Sequence, residues 1–215
     1  MPPRIDPSLI PPSPTLDFEA ALWAAGVEAV AGIDEAGRGA LAGPVYAGAV
    51  ILAGSPDVLH DLYGVRDSKE MTPGERDHWA LEIKSRARAW AVGAADAVEI
   101  DTLGIVPATR LAAGRALKQL LTAPEHLLID YLVLHEEAIP QTWLYKGDAR
   151  SLSIAAASVL AKTARDAQLL ALHDDFPDYG FAAHKGYGTA RHRQALADLG
   201  PCALHRRSFA LTGQT

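Results

Sequence analysis

Cysteine is almost absent from this chain. Cys202 stands alone among 215 residues, so no intramolecular disulfide can form, which suits a reducing compartment. Its isolation also removes the paired thiols of a structural zinc site. No apolar run reaches the roughly 18 residues that a membrane span requires. The N-terminus carries prolines and acids where a signal peptide has an apolar core. A cytoplasmic protein with no membrane association is therefore expected. A GxxxxGK[ST] loop is missing, so the acidic pair that ends an apolar run at Asp34 is not part of a P-loop. The GxSxG turn of serine hydrolases is missing too, because Ser158 sits in an alanine-rich stretch. Tryptophan and phenylalanine are few and scattered, which reads as core rather than as a base-stacking platform. No repeat or later linker divides the chain.

What is present is ordinary for a folded protein: 49% hydrophobic and 21% charged residues, enough to bury a core without staples. Residues 1–16 hold six prolines and read as a flexible lead-in to a single domain over 17–215. The net charge of −6 is uneven. Residues 179–215 carry five basic side chains against Asp198 alone, and the remainder carries 15 basic and 25 acidic ones. A basic end on an acidic body can grip phosphates, and His184, His192 and His205 lie in it; the alternative is a solvated surface.

Residues 27–35 and 44–52 read as strands around a glycine-rich turn. Thr72-Pro73-Gly74-Glu75 reads as a capping box opening a helix to about residue 88. A third strand is expected over 90–98, a helix over 108–121 and a buried strand over 127–134. A long helix capped by Ser153 is expected over 153–173, and a shorter one over 189–199. The order predicts an α/β fold, a mixed sheet with helices packed against it and a helical C-terminal extension.

Four acids stand out. Asp34 and Glu35 end an apolar strand beside Gly37. Neighbouring strand side chains point to opposite faces, so both serve one site only if the backbone bends there. Asp130 lies inside LLIDYLVL, where an unpaired carboxylate is costly. Asp148 follows Lys146-Gly147 just before the long helix. The plainer readings are a solvated acidic turn, an edge aspartate bonding backbone amides, and a turn or cap residue. Together, four acids would repel one another without cations, and carboxylate oxygens suit Mg²⁺ or Mn²⁺. Two ions about 3.5–4 Å apart would serve an in-line phosphoryl displacement. Asp166 is a further acid, read as a structural ion pair with Arg165.

Five segments in order resemble bacterial ribonuclease HII: GIDEAGRGALAGPVYAGAVIL, Asp67-Ser68-Lys69, KGDARSLSIAAASVLAKTARD, HKGYGTARH and HRRSF. The resemblance spans roughly residues 27–210. It implies a ribonuclease H-like fold and hydrolysis of the RNA strand of RNA–DNA hybrids. It also implies incision 5′ of single ribonucleotides in duplex DNA, leaving 3′-hydroxyl and 5′-phosphate ends. By that resemblance Asp34, Glu35, Asp130 and Asp148 are the four metal-binding acids, working with two Mn²⁺ or Mg²⁺ ions. The chain departs at Tyr131, where the family usually has glycine.

The same resemblance assigns Gly37-Arg38-Gly39 to reading the ribonucleotide 2′-hydroxyl, the group that marks RNA. It assigns Tyr187 to stacking at the junction and Lys69 to a phosphate contact. Lys146, Lys162, Lys185, Arg191 and Arg207 are candidates for the duplex backbone, or plain surface charge. The expected partners are RNA–DNA hybrid and ribonucleotide-containing duplex DNA, bound by a monomer.

Overall fold

The computed structural model describes residues 6, 10–55 and 57–211. Half of the proline-rich lead-in, residues 1–5 and 7–9, lies outside the described residues. Its end is anchored rather than free: the Thr15 amide donates to the Arg150 carbonyl, the Leu152 amide donates to the Thr15 carbonyl, and Leu16 is buried. Helix α1 (Asp17–Ala24) follows. It inserts Glu19, fully buried, under three donors: the Ser151 hydroxyl at 2.6 Å, the Ser153 hydroxyl at 2.6 Å and the Ser153 amide at 3.0 Å.

Strands β1 (Val30–Ala36), β2 (Val45–Ile51), β3 (Ala89–Ala95), β4 (His126–Asp130) and β5 (Gln141–Leu144) form one sheet in the order β3-β2-β1-β4-β5. The β1–β2 and β2–β3 pairs are antiparallel; β1–β4 and β4–β5 are parallel. The sheet is therefore mixed, as expected. Alternation sorts its side chains. Ile33, Ala47, Ala49 and Ile51 face α5 (Ile105–Gln119), whereas Val50 and Leu52 join the core beneath α6 (Leu152–Asp175). The short helix α2 (Asp57–Asp61) and α3 (Pro73–Arg86) complete the α6 side. The α3 start is the capping box read from sequence: Thr72 accepts from the Glu75 amide, and Glu75 accepts from the Thr72 amide.

Several boundaries differ from expectation, among them the starts of β1 at Val30 and α5 at Ile105, and three of them have a plain cause. Strand β3 stops at Ala95 because Asp96 and Glu99 form a second capping box that starts α4 (Ala97–Leu103). Strand β4 stops at Asp130 because Tyr131 takes a left-handed conformation, φ +50°. Helix α6 is capped two residues earlier than expected. Ser151 is its cap, and Ser153 instead serves Glu19. Helices α7 (Phe181–His184) and α8 (Ala190–Leu199) form the C-terminal extension. Among the described residues, no helix is long and apolar enough to cross a membrane.

Candidate active site

The parallel register of β1 and β4, Ile33 opposite Ile129, puts Asp34 and Asp130 side by side at the strand ends. Asp148 arrives from the next segment, in the 3-10 turn Gly147–Ala149 between β5 and α6. One carboxylate oxygen from each of Asp34, Asp130 and Asp148 lies within 4.8 Å of the others. Asp34 faces α6, is 3% exposed, and accepts from the Glu35 amide through Oδ1 at 2.7 Å. Among the described residues its buried Oδ2 meets no donor in good geometry, although the Ser158 hydroxyl is close enough to the carboxyl to offset part of the effect of burial. Asp130 Oδ1 accepts from the Gly147 amide at 2.7 Å, which ties the third acid to the turn carrying the fourth.

Glu35 is not part of that trio. The bend that would have brought it in is absent, because β1 stays paired with β2 through Ala36. Alternation sends Glu35 the other way, where it meets Arg38 at 3.1 Å and lines the same cleft.

The electrostatics of the acids follow from burial and crowding. Burial pushes the Asp34 carboxyl well above the usual range, and the charges of Glu35, Asp130 and Asp148 push it further. Burial raises Asp130 despite the Gly147 hydrogen bond. Burial, then repulsion from Asp130 and Asp67, lifts Asp148 to about 6. Burial raises Glu35 too, against the opposing pull of Arg38. Lys69 sits 3.6 Å from Asp148 and 3.5 Å from Asp67. Desolvation pulls its pKa down, but Asp67, Asp34, Asp148 and Asp130 together outweigh it and raise it above the ordinary lysine value.

Asp34, Glu35 and Asp130 open on a cavity of about 820 Å³, lined also by Gly37, Arg38, Gly39, Lys69, Lys185 and Tyr187, whereas Asp148 lines an adjoining one. Gly37 has φ +95°, and a Cβ there would lie 2.0 Å from Arg165 Nε, so only glycine fits. Gly39 faces open space. Lys146 is exposed on the far wall of an adjoining 540 Å³ cavity, which shares Glu35, Arg38, Lys69 and Asp130 with the first. Lys185 donates to the Ala182 carbonyl. Lys162 is committed to Asp166 at 2.7 Å. Arg191 and Arg207 are exposed on the C-terminal extension, outside both cavities.

Asp166 is an ion-pair residue, but its partners are Arg76 at 3.1 Å and Lys162, not Arg165. Arg165 points the other way and is fully buried, donating to the carbonyls of Pro44 and Ala42. Arg206, also fully buried, donates to the carbonyls of Gly43 and Arg38. These two arginines hold the glycine-rich turn. Sequence reasoning passed over both, because nothing local distinguishes a buried arginine from a solvated one. Trp143, read as core, is 52% exposed because β5 is an edge strand.

The three histidines of the basic tail do not serve as surface cations. They are buried and bonded in a chain. The Cys202 amide donates to His205 Nδ1, and the Nε2 atoms of His205 and His192 are 3.0 Å apart. His192 Nδ1 reaches the Tyr187 carbonyl at 3.0 Å. Only one proton arrangement satisfies every link: His205 donates through Nε2 and His192 donates through Nδ1. His184 accepts from the Gly186 amide. The loop carrying Tyr187 is thus clamped by neutral imidazoles, and its ring packs 5.4 Å from Lys162 Nζ and 5.2 Å from the Arg165 guanidinium.

Burial, then His192, pushes His205 down to about 4. A histidine with a depressed folded pKa stays neutral in the fold and gains a proton on unfolding. Its contribution is complete above about pH 6.5 and is lost as pH falls toward about 4. His205→Ala should cost about 1–3 kcal/mol at pH 7.5 and flatten that acid slope. Urea unfolding at several pH values measures both effects, and an unchanged slope would contradict the chain.

Comparison with known proteins places the site in context. A family model described as ribonuclease HII matches residues 31–212. A ribonuclease HII from Synechococcus sp. (strain JA-3-3Ab) is 51% identical over 197 residues, covering 92% of this chain and 88% of that protein. One from Moorella thermoacetica is 52% identical, covering 89% of this chain and 91% of that protein. Among solved structures, the RNase HII of Archaeoglobus fulgidus, determined in complex with PCNA, superposes with a TM-score of 0.71 at 27% identity. That match covers 86% of this chain and 98% of that one.

Proposed function

The chain belongs to the ribonuclease HII family and is a ribonuclease H endonuclease acting on RNA–DNA substrates, and from that premise we propose how this site does the work. The observation that carries the reading is the convergence of Asp34, Asp130 and Asp148 where two adjoining cavities meet: Asp34 and Asp130 line the one that holds the Gly37-Arg38-Gly39 turn and Tyr187, and Asp130 and Asp148 line its neighbour. Family membership makes the enzyme dependent on divalent metal, and the residues fit one. Three carboxylates crowd together, and a buried oxygen of Asp34 meets no well-placed donor among the described residues. An all-oxygen donor set suits Mg²⁺ or Mn²⁺.

Asp34, Asp130 and Asp148 hold the ions, with Glu35 reaching in from the cleft wall. Two divalent ions held there would supply positive charge against a scissile phosphate and would lower the pKa of bound water. The protein's own groups position the substrate. The Gly37-Arg38-Gly39 backbone approaches the 2′-hydroxyl, with the turn held rigid by Arg165 and Arg206. Tyr187 packs on the sugar at the junction, and its backbone is held by His192. Lys69, poised between Asp67 and Asp148, swings to a phosphate oxygen. Lys146 and Lys185 hold backbone phosphates further out.

The proposed substrate is a duplex with a single ribonucleotide as well as continuous hybrid. Labelled DNA duplex containing one ribonucleotide, incubated with Mg²⁺, Mn²⁺ or EDTA, should be cut immediately 5′ of the ribonucleotide in a metal-dependent manner. Cutting of continuous hybrid alone would remove the single-ribonucleotide part of the proposal. No cutting of either would remove the whole.

A further inference from the structure

Beside the acids lies a group of aromatic rings with no role in the reaction described above. Tyr131 directly follows Asp130. Trp143 is opposite Ile129 in the β4–β5 register, and Tyr145 follows β5 on the way to Asp148. The Tyr131 ring meets Trp143 edge-on at 6.5 Å and Tyr145 edge-on at 6.0 Å. Tyr131 is 49% exposed and Trp143 52%, and Tyr145 is partly buried beside them.

We propose that Tyr131, Trp143 and Tyr145 form a contact surface for the sugar and base faces of the nucleic acid strand leaving the acids on the β5 side. The inference rests on the functional reading above and extends its footprint. Three observations point to this occupant.

The first is continuity. Tyr131, Tyr145 and Lys146 line the same cavity as Asp130 and Asp148. A protein partner seated there would cover the acids, whereas a nucleic acid strand leaving them through this cavity meets Tyr131 and Tyr145, with Trp143 edge-on to Tyr131 just beyond its wall.

The second is conformation. Tyr131 sits at φ +50° and Lys146 at φ +52°, where non-glycine residues are strained by roughly 1–2 kcal/mol. Glycine would fit either place without that cost. Packing does not demand a half-exposed ring at residue 131. Strained residues held beside a site are commonly ligand contacts. The left-handed turn aims the Tyr131 ring outward from the end of β4 instead of leaving it in the strand.

The third is chemistry. Arg66, Lys69 and Lys146 share the cavity wall with Tyr131 and Tyr145. Cations spaced around aromatic faces match a strand that alternates phosphates with sugars and bases. Such stacking tolerates any sequence, because every base presents a π-face.

The test is Tyr131→Gly and Trp143→Ala in the full chain. Each is measured for cleavage of a continuous hybrid and for binding of that hybrid by fluorescence anisotropy in EDTA. Each variant should weaken binding by about 5–20-fold and raise KM by a similar factor. Tyr131→Gly should melt no lower than wild type, because relief of strain offsets the lost ring contacts. The salt dependence of binding should stay unchanged in both variants, since no charge is lost, whereas Lys146→Ala should make it shallower. Tyr131→Phe should bind like wild type.

Hybrid affinity within about twofold of wild type in both Tyr131→Gly and Trp143→Ala would overturn the inference. So would a fall in kcat with affinity unchanged, which would mean that the rings act on Asp130 geometry. A wild type that binds hybrid without cutting it would count against the catalytic reading alone, and the binding comparison would still decide this one. A wild type that neither binds nor cuts would overturn both.

Discussion

Asp34→Asn is expected to lower cleavage by on the order of 10³-fold or more and, in EDTA, to raise the melting temperature. The loss corresponds to about 4 kcal/mol of transition-state stabilisation, a reasonable share for a group that holds catalytic metal. The gain in stability has a separate cause. Asp34 is buried, one of its oxygens meets no well-placed donor among the described residues, and three other carboxylates repel it. Asparagine keeps the shape and the acceptor for the Glu35 amide while removing the charge, and its NH₂ can donate to the neighbouring acids. The sign with pH follows. A carboxyl whose folded pKa is raised holds its proton more tightly in the fold. Its destabilising effect is therefore absent below the unfolded value near 4 and grows as pH rises through the folded value. For Asp148 that interval runs from about 4 to about 6, at about 1.4 kcal/mol per unit. The advantage of Asp34→Asn should thus be largest at neutral pH and shrink toward pH 4. A variant less stable than wild type at pH 7.5 in EDTA would contradict this account.

Gly32→Ala is expected to be among the most destabilising single-methyl changes available. Gly32 lies on β1 where the first turn of α6 crosses it. A Cβ there would stand 2.2 Å from Ser153 C, 2.4 Å from Ile154 N and 2.4 Å from Ser153 O. All three are backbone atoms of a buried helix start, which cannot rotate away as a side chain can. Overpacking of this kind costs about 1–3 kcal/mol, occasionally more, and we expect the upper end. At about 2–4 °C per kcal/mol for a chain of this size, the melt should fall by about 6–12 °C. The smaller unfolded-state benefit of alanine, about 0.4–1 kcal/mol, does not offset that. Gly39→Ala, in open space, should leave the melt unchanged. Equal melts for Gly32→Ala and wild type would mean that α6 is not held as closely to β1 as described.

What could be read from the sequence had a local cause. Asp34 and Asp130 stood out because charge at the end of an apolar strand is costly, and Thr72 because a capping box is written in four residues. What escaped was set by distant partners. Glu19 is buried by two serines on the far side of the chain. Arg165 and Arg206 are buried by carbonyls around the glycine-rich turn. The histidines looked like cations until the chain from Cys202 to Tyr187 showed them neutral. Strand β4 looked longer because its apolar run continues past Asp130, and apolarity does not reveal the left-handed turn at Tyr131. That Glu35 stays outside the tight trio while lining the same cleft followed from strand alternation, the principle that had raised the question.

The measurement that tests the central claim most directly is calorimetric titration of Mn²⁺ into the metal-free protein at pH 7.5 and 5.5, with wild type and Asp130→Asn side by side. If Asp34, Asp130 and Asp148 are the metal site, binding must displace protons from carboxyls held above their ordinary range. The account predicts saturable binding with proton release at pH 7.5, affinity weaker by about tenfold or more at pH 5.5, and loss of binding in Asp130→Asn. Affinity equal at the two pH values, or retained in the variant, would contradict it.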